Sequence, residues 1–295
     1  MSRIAFLSMD SLADFECYDQ LTIEPLARLG YEVDEVSWRT ATNWNDYDAV
    51  VIRSPWDYQK DADAFLACLE AIEQSSAELQ NPVDIVRWNI NKHYLLDLAL
   101  RGVTIVPTHW SVGIDEASLQ AAFSDHGTRE LIVKPAISAG ADDTFRVPRG
   151  ESAAFVAANS ARFAARECLV QPFLTNIISE GEYSLFFFAG DLSHCILKTP
   201  QREDFRVQEE HGGQLRLIED PEAGLLAAGR GTLAAIDAEL LYARLDYVRE
   251  GDRFLLMEAE LIEPSLYFNL DPASAQRFAH CVDDWLGGRR DSGTG

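Results

Sequence analysis

The chain has 295 residues, a formal net charge of −23 and 47% hydrophobic residues, which is enough apolar side chain for an extensive core. Nucleic acid and anionic membrane are not expected partners, because both would repel so acidic a protein. No apolar run approaches the roughly 18 residues of a membrane span, and the N-terminal segment does not predict a signal peptide. The five cysteines are scattered without CxxC spacing, so we expect neither a zinc site nor disulfides, and we expect a cytoplasmic location.

Residues 1–88 alternate apolar strands with helices. Strands are predicted at "RIAFLS", "YEVDEVSW" and "YDAVVIRS", with one helix ending near Gly30 and another over residues 61–79. The segment "NPVDIVRWN" is predicted to form a further short strand and turn. Such alternation predicts a parallel sheet, in which ligands bind at the carboxyl ends of the strands.

Residues 89–168 predict a small α+β unit. It begins with the helix "NKHYLLDLALRG" and the segment "VTIVPTHW", a strand interrupted by Pro107. A helix, the strand "ELIVKP", the loop "AISAGADDTFRV" and an Ala-rich helix over 151–166 complete it.

Residues 169–287 predict strands at "CLVQPFL", "GEYSLFFFAG" and "LSHCILKTP", the polar loop "EDFRVQEEHGG" and a long helix over 221–241. Two further strands, "RLDYV" and "RFLLMEAEL", flank the turn "REGD" and predict an antiparallel hairpin. The tail over 288–295 is predicted to be disordered.

The hairpin carries three carboxylates among apolar residues. Glu258 and Glu260 share one face because strand residues two apart point the same way, and Asp246 joins them from the partner strand. Three carboxylates offer only oxygen atoms as metal ligands, and such a set would suit Mg²⁺. An acidic stripe facing solvent, or neutralisation of one carboxylate by Arg244, explains the same spacing without a metal.

Three of the few lysines lie at element ends beside glycine or proline. They are Lys92 at a helix start, Lys134 at the end of "LIVKP" and Lys198 at the end of "CILKTP", with Arg206 in the polar loop. Each lysine by itself is also consistent with a solvated end of a helix or strand. Together with the acidic trio, they indicate a site for a nucleoside triphosphate.

In this order the motifs resemble those of the ATP-grasp ligases. The order runs from Lys92 through "VKP" with its small-residue loop, the hinge "LVQPFL" and the acidic residue of "GEYSLFFF" to "ARLD" and "MEAE". The pattern is nearest to the branch of RimK-like and glutathione-synthetase-like enzymes. Within it, "VVIRSPWDY" and "KTPQREDFRVQEEHGG" are similar to the family of the cyclising ligase of D-cycloserine biosynthesis.

The resemblance implies an α/β (α+β) ATP-grasp fold with ATP and Mg²⁺ as cofactors. It implies an N-terminal substrate-binding domain with a Rossmann-like sheet at 1–88, a central subdomain with a lid at 89–168, and a C-terminal mixed-sheet subdomain with the metal and catalytic residues at 169–287. Since members of this branch are often dimeric, it adds a homodimer as a candidate assembly.

The resemblance also implies nucleotide roles. Lys92 and Lys134 would contact the α- and β-phosphates, and the loop with Ser138 and Gly140 would fold over them. Adenine would be bound by Gln171, Phe173 and Leu174, and the ribose by Glu182. The γ-phosphate and the acyl phosphate would be bound by Lys198, Arg206 and Arg244.

Mg²⁺ would bind Asp246, Glu258 and Glu260. The commonest family pattern has Asn at the last of these positions, so either Glu260 or Glu263 takes that role. A regular strand would place Glu263 on the opposite face, which favours Glu260.

Substrate contacts are predicted in the loop "RSPWDY" and in the polar loop. Arg53 and Ser54 would bind a carboxylate, Asp57 an ammonium group, and Trp56 and Tyr58 would form pocket walls, although both aromatic residues could equally pack in the core. The pair Gly212 and Gly213 would offer N–H donors to an oxyanion. His211 would accept a proton from the amine or, alternatively, cap a turn.

The leading functional hypothesis is an ATP-dependent carboxylate–amine ligase that works through an acyl phosphate on a small amino-acid-like substrate, including intramolecular cyclisation. An intermolecular dipeptide-type ligase, a phosphotransferase on the same scaffold and a nucleotide-binding regulator are the alternatives. A dinucleotide-dependent dehydrogenase is disfavoured because GxGxxG is missing after the first strand.

Overall fold

Three β-sheets with packed helices form the chain in the computed structural model, which describes residues 2–201, 205–207, 209 and 212–292. The first sheet is parallel with strand order β2-β1-β3-β4. Its elements are β1 Ser2–Ser8, α1 Ile23–Arg28, β2 Tyr31–Ser37, β3 Ala49–Ser54, α2 Ala62–Glu73, β4 Glu78–Gln80 and α3 Val83–Asn89. Strand β3 is buried along its whole length, as expected for a strand covered on both faces. The predicted parallel sheet is confirmed.

Two local predictions in this region are wrong. The segment "NPVDIVRWN" forms helix α3 rather than a strand and turn, because Val83 and Val86 lie three residues apart on one buried face and Pro82 precedes the first turn. The helix predicted over 61–79 ends at Glu73, and β4 follows it.

The central sheet is antiparallel with strand order β5-β8-β6-β7. Its elements are α4 Tyr94–Leu100, β5 His109–Val112, α5 Glu116–Asp125, β6 Glu130–Pro135, β7 Phe145–Pro148, α6 Ser152–Phe163 and β8 Glu167–Pro172. The loop between β6 and β7 contains Ala141 and Asp143 with positive φ, and it reaches the N-terminal domain, where Gln59 donates to Asp142 at 3.3 Å.

The third sheet has strand order β11-β10-β9-β12-β13. Its elements are α7 Asn176–Ser179, β9 Glu182–Phe188, β10 Asp191–Thr199, β11 Gln214–Leu217, α8 Ala223–Ile236, β12 Tyr242–Glu250, β13 Arg253–Glu260 and α9 Ser274–Ser292. The five strands are antiparallel, and a parallel bridge between Ile105 and Leu256 makes the sheet mixed. The predicted hairpin is confirmed as β12–β13.

The predicted domain limits do not coincide with element ends. The limit at 88/89 falls inside α3, and the limit at 168/169 falls inside β8. Helix α9 continues through Ser292, where a disordered tail is predicted from 288; residues 293–295 lie outside the described part of the chain. In the described residues, no helix is both long and apolar enough to cross a membrane.

Buried amides join the first sheet to the third. The Asn81 side chain donates to the carbonyls of Tyr242 at 2.9 Å and Leu261 at 2.7 Å, and accepts from the Leu241 N–H at 2.9 Å. Asn89 donates to the carbonyl of Ala259 at 2.9 Å. Since a buried polar group left unpaired costs about 1–3 kcal/mol, these bonds define how the hairpin lies against the N-terminal domain.

Candidate active site

A cavity of about 510 Å³ is lined by residues from all three sheets. The register of β12 and β13 orders the residues at the cavity, because paired residues succeed one another along the hairpin from the turn outward, and Glu258, Arg244 and Glu260 are the members of the following pairs that line it. Val248 pairs with Leu255, Asp246 with Glu258, and Arg244 with Glu260. Each step of two residues advances about 7 Å. The cavity therefore changes from an apolar group of residues, through a charged centre, to a region beside the N-terminal domain.

The apolar group surrounds the first part of the cavity. It consists of Val106, Ile132, Phe173, Leu174, Ile177, Phe205 and Met257. The Phe173 ring is edge-on to Phe205 with centroids 6.1 Å apart, and Arg146 lies 3.9 Å over its face. Gln171 also lines the cavity and donates to Thr108 at 2.9 Å. A flat aromatic heterocycle suits such a surface.

Ion pairs hold the charged centre together. Lys92 Nζ lies 2.9 Å from Glu258 Oε1 and donates to the carbonyl of Ser138 at 2.7 Å, which ties the β6–β7 loop to the hairpin. Burial disfavours the charge on Glu258, but Lys92 and Lys134 lower the pKa of this carboxyl below its usual value. Gly140 of the same loop also lines the cavity.

A second group of ion pairs lies beside the first. Lys198 Nζ is 3.0 Å from Glu182 and 3.5 Å from Asp246, and Arg244 pairs with both Asp246 and Glu260. Burial opposes the charge of Lys198, but Asp246 and Glu182 raise its pKa above the ordinary value. Burial likewise opposes the charge of Asp246, and Arg244 and Lys198 lower its pKa.

Two buried ionisable residues of the lining differ from the rest. Lys134 is 9% exposed, and no carboxylate lies within ion-pair distance of its Nζ among the described residues; burial lowers its pKa. Glu263 is also 9% exposed, and the described part of the chain places no basic side chain within ion-pair distance of it. Burial and the neighbouring Glu260 raise the pKa of Glu263 to about 8.

The carboxylates of the hairpin have the oxygen donors that Mg²⁺ prefers. In this conformation their charges are taken up by Lys92, Lys198 and Arg244, and within the described ranges no three His, Cys, Asp or Glu side chains are arranged around a common point as metal ligands. The donor chemistry fits the ion, and its binding requires these basic side chains to move. Strand β13 ends at Glu260, so the expectation that Glu263 lies on the opposite face is wrong: Glu263 lines the same cavity.

The structure does not bring every predicted residue to the cavity lining, which contains neither Asp246 nor Lys198, both of them 3% exposed. Arg53 is fully buried against Asp19 at 2.9 Å and donates to the Pro264 carbonyl at 3.0 Å, and Ser54 bonds to Ser8. The side-chain groups that were predicted to bind a substrate carboxylate are therefore hydrogen-bonded within the protein.

Further predicted residues are occupied elsewhere. Asp57 accepts from Trp38 at 2.8 Å and pairs with Arg39 at 3.1 Å. The Gly212 N–H donates to the Glu209 carbonyl at 2.8 Å and so is not an oxyanion donor in this conformation. Neither Gly212 nor Gly213 lines the cavity, whereas Arg206 does. His211 lies outside the described residues.

Several lining residues were missed or only weakly indicated by the sequence. Trp56 and Tyr58 line the cavity as proposed, and they are joined by Asp14, Phe15, Glu16, Lys60, Tyr94, Glu209, Ser265 and Tyr267. Residues 14–16 follow β1 and could have been found from the rule that ligands bind beyond the carboxyl ends of parallel strands. Tyr267 has a φ of 45°, and nothing in the local sequence indicates that conformation.

The chain is similar to several known proteins. A family model described as D-cycloserine synthetase DcsG, N-terminal domain, matches residues 4–81. The cycloserine biosynthesis protein DcsG of Streptomyces lavendulae is 30% identical over 287 residues, covering 90% of this chain and 92% of that protein.

Two solved structures share the fold. The crystal structure of D-cycloserine synthetase DcsG has a TM-score of 0.84 and 27% identity, covering 97% of this chain and 100% of the other. That of an ATP-grasp RimK domain protein from Sphaerobacter thermophilus has a TM-score of 0.71 and 19% identity, covering 95% and 99%.

The raised pKa values predict how the stability of the unliganded protein depends on pH. Burial raises the pKa of Glu260 to about 7 and that of Glu263 to about 8. Between pH 5 and 8 the folded state therefore retains protons that the unfolded chain has lost, so the free energy of unfolding falls as pH rises. Glu263→Gln should reduce this slope by up to about 1.4 kcal/mol per pH unit. Urea unfolding of both proteins at several pH values measures the difference; identical pH dependence would contradict the assignment.

Proposed function

This chain belongs to the D-cycloserine synthetase DcsG family of ATP-grasp ligases, which are ATP-dependent and ADP-forming, and we propose that it activates the carboxylate of a small amino-acid-like substrate as an acyl phosphate. An amine of the substrate then displaces phosphate to form an amide. The relative's description as a cycloserine biosynthesis protein supports the intramolecular form of this reaction, in which acid and amine belong to one molecule. The homodimer and the cytoplasmic location stay predictions from the sequence.

The observation that carries this proposal is that Lys134 is buried and, among the described residues, has no carboxylate within ion-pair distance. A buried ammonium group without a counter-charge is costly unless a ligand supplies one. Lys134 lies at the end of β6 next to the loop that Lys92 contacts through Ser138. A polyphosphate placed along the hairpin would give Lys134 its missing partner.

The rest of the cavity suits the other parts of ATP. The apolar group can hold adenine near Gln171, Phe173 and Leu174, and Glu182 lines the wall between this group and the charged centre, within reach of ribose hydroxyls. Phosphates entering the centre would compete with Glu258 for Lys92. Released from Lys92, Glu258 would join Asp246 and either Glu260 or Glu263 in holding Mg²⁺, which would supply positive charge to the phosphate oxygens during transfer.

The first step joins a substrate carboxylate oxygen to the γ-phosphorus and breaks the bond to the bridging oxygen, which leaves with ADP. Arg244 and Arg206 line the cavity and can donate forked hydrogen bonds to the phosphoryl oxygens, while Lys198 sustains the position of Asp246. Positioning and charge neutralisation are the contributions required of a protein in phosphoryl transfer.

In the second step the amine nitrogen attacks the acyl carbon, the carbon–oxygen bond to phosphate breaks, and the amine loses a proton. The acyl phosphate must be kept from water during this time. The β6–β7 loop covers the cavity at Ser138 and Gly140 and touches the N-terminal domain through Asp142 and Gln59. Its closure would exclude water.

Product analysis distinguishes the candidate reactions. Mg·ATP should be incubated with D- and L-amino acids and O-substituted serines, singly and in pairs, and ADP and free phosphate measured. We expect ADP and phosphate in equal amounts with a single compound that carries both reacting groups, and mass spectrometry should show loss of water from that compound. Release that needs two compounds would indicate an intermolecular ligase. ADP without free phosphate would indicate a phosphotransferase and overturn the proposal.

Lys134→Met tests whether Lys134 binds a phosphate group of ATP. Loss of a charge-assisted hydrogen bond to phosphate, worth about 1.5–3 kcal/mol, should weaken binding of a non-hydrolysable ATP analogue about 10- to 100-fold. Because the substitution also removes a buried ammonium group that has no carboxylate within ion-pair distance among the described residues, the melting temperature of the unliganded protein should stay equal or rise. Calorimetric titration and thermal unfolding measure the two effects. Arg28→Met, on the exposed surface of α1, is the control that should change neither. Unchanged analogue affinity in Lys134→Met would contradict the nucleotide site.

A further inference from the structure

Glu263 is the buried carboxylate of the cavity whose charge the described residues leave unbalanced. The four carboxylates that strands β9, β12 and β13 bring to the site have basic partners within ion-pair distance, namely Lys198 for Glu182, Lys198 and Arg244 for Asp246, Lys92 for Glu258, and Arg244 for Glu260. Among the described residues Glu263 has none, although it is only 9% exposed and lines the cavity. An ionised carboxylate in such a place requires a cation from a ligand.

The segment that carries Glu263 is held rigidly by the N-terminal domain. The Trp56 indole N–H donates to the Glu263 carbonyl at 2.9 Å, and Arg53 donates to the Pro264 carbonyl at 3.0 Å. On the preceding residue, the Ile262 carbonyl lies 2.8 Å from the Tyr242 hydroxyl, whose single proton it shares with the Ile52 carbonyl at 2.6 Å. Two consecutive carbonyls, those of Glu263 and Pro264, are thus fixed by buried or half-buried donors. The backbone that carries Glu263 is therefore set before any ligand arrives, as the support of a recognition group requires.

Aromatic rings surround this part of the cavity. Tyr58 is buried and lies close enough to Glu263 for that carboxylate to raise its pKa, after burial itself. Trp56 lines the cavity and packs against Phe15 with ring centroids 5.4 Å apart. Ring faces attract organic cations. A cavity lining that combines a buried carboxylate with these aromatic residues is the composition expected of a site for an alkylammonium group.

We propose that Glu263 binds the protonated primary amine of the substrate at the N-terminal-domain side of the cavity. This inference rests on the proposed function, because it assigns one group of the amino-acid-like substrate to one residue.

A monovalent organic cation fits the position better than Mg²⁺. One positive charge balances one carboxylate, whereas Mg²⁺ requires near-octahedral oxygen coordination and retains waters. Glu263 also lies beyond the end of β13, next to Trp56. Asp246 and Glu258, in contrast, lie opposite each other in the register of β12 and β13. The alternative role of Glu263 as third metal ligand therefore becomes an outcome for the test to decide.

Two other carboxylates in the lining are weaker candidates for the same task. Asp14 and Glu16 are exposed to solvent. Water and salt screen their interaction with a cation far more than they screen that of a buried group. Each offers a control at the same cavity.

The assignment has a chemical consequence. An ammonium group held by Glu263 stays protonated and has no lone pair, so it cannot attack the acyl phosphate. The nucleophile must be a second nitrogen of the substrate, and the group bound at Glu263 serves to direct the carboxylate toward the charged centre. Glu263 therefore determines specificity and also which nitrogen reacts.

The test compares ligands that differ only in the amine. O-Methylserine, as each enantiomer, and 3-methoxypropanoate, which lacks the amino group, are titrated into the full chain saturated with Mg²⁺ and a non-hydrolysable ATP analogue. We expect the wild-type protein to bind one amino compound at least tenfold more tightly than 3-methoxypropanoate. In Glu263→Gln the ratio should fall to within about threefold, with affinity for 3-methoxypropanoate unchanged. Glu16→Gln, and Glu73→Gln on the exposed surface of α2, should retain the wild-type ratio.

The outcomes separate the inference from the function on which it rests. A wild-type ratio retained in Glu263→Gln would overturn the inference and leave the ligase proposal standing. Loss of Mg²⁺ dependence of analogue binding in Glu263→Gln, with the ratio retained, would assign Glu263 to the metal instead. Wild-type protein that binds the ATP analogue but neither amino compound would contradict the amino-acid substrate, and the inference with it. Unchanged affinity of Glu263→Gln for the ATP analogue shows that the variant is folded.

Discussion

Charge balance inside the β12–β13 hairpin is the constraint on which the rest of the site depends. Buried carboxylates are tolerated only with partners, and Lys92, Lys198 and Arg244 provide them for four acidic side chains. The balance is incomplete at two positions. Lys134 has no carboxylate within ion-pair distance and Glu263 no basic group, among the residues described, although both are buried in the cavity lining. These two residues define the charges that a ligand must bring: an anion beside the β6–β7 loop and a cation beside the N-terminal domain.

Contacts between the three sheets hold Lys134 and Glu263 in the cavity lining without a partner of opposite charge among the described residues. Asn81 and Asn89 join the hairpin and the segment after it to the N-terminal domain, and the Tyr242 hydroxyl of the hairpin contacts the Ile52 carbonyl of β3. Lys92 joins the loop of the central sheet to the hairpin through its contacts with Ser138 and Glu258. Unpaired buried charges lower stability, so the fold must compensate for them elsewhere. The large shared core, which includes Phe6, Phe186 and Phe278, supplies that stability. Function and stability are in opposition at Lys134 and Glu263.

Much of the architecture follows from the sequence. Alternating apolar runs predict the parallel sheet, and the turn "REGD" between two strands predicts the hairpin that brings Asp246, Glu258 and Arg244 together. The order of motifs along the chain predicts the ATP-grasp fold, which the comparisons confirm. Local patterns mislead where a short apolar segment fits both a strand and a helix, as at α3.

The sequence could not show which residues far apart in the chain form ion pairs and hydrogen bonds with each other. Arg53 and Asp57 have the composition of a substrate site, but Asp19 and Arg39 engage them, and these partners lie 34 and 18 residues away in the chain. The place of Glu263 depends on where β13 stops, and one irregular residue moves a side chain to the other face of a strand. Such outcomes are decided by tertiary contacts that no local pattern records.

The most direct test of this account is the crystal structure of the chain with Mg²⁺ and a non-hydrolysable ATP analogue. We expect a phosphate oxygen within hydrogen-bond distance of Lys134 Nζ, and a Lys92 Nζ that has left Glu258 for the phosphates. A complex in which the nucleotide lies outside this cavity, or in which Lys134 stays unpaired and the 2.9 Å contact between Lys92 and Glu258 persists, would contradict it.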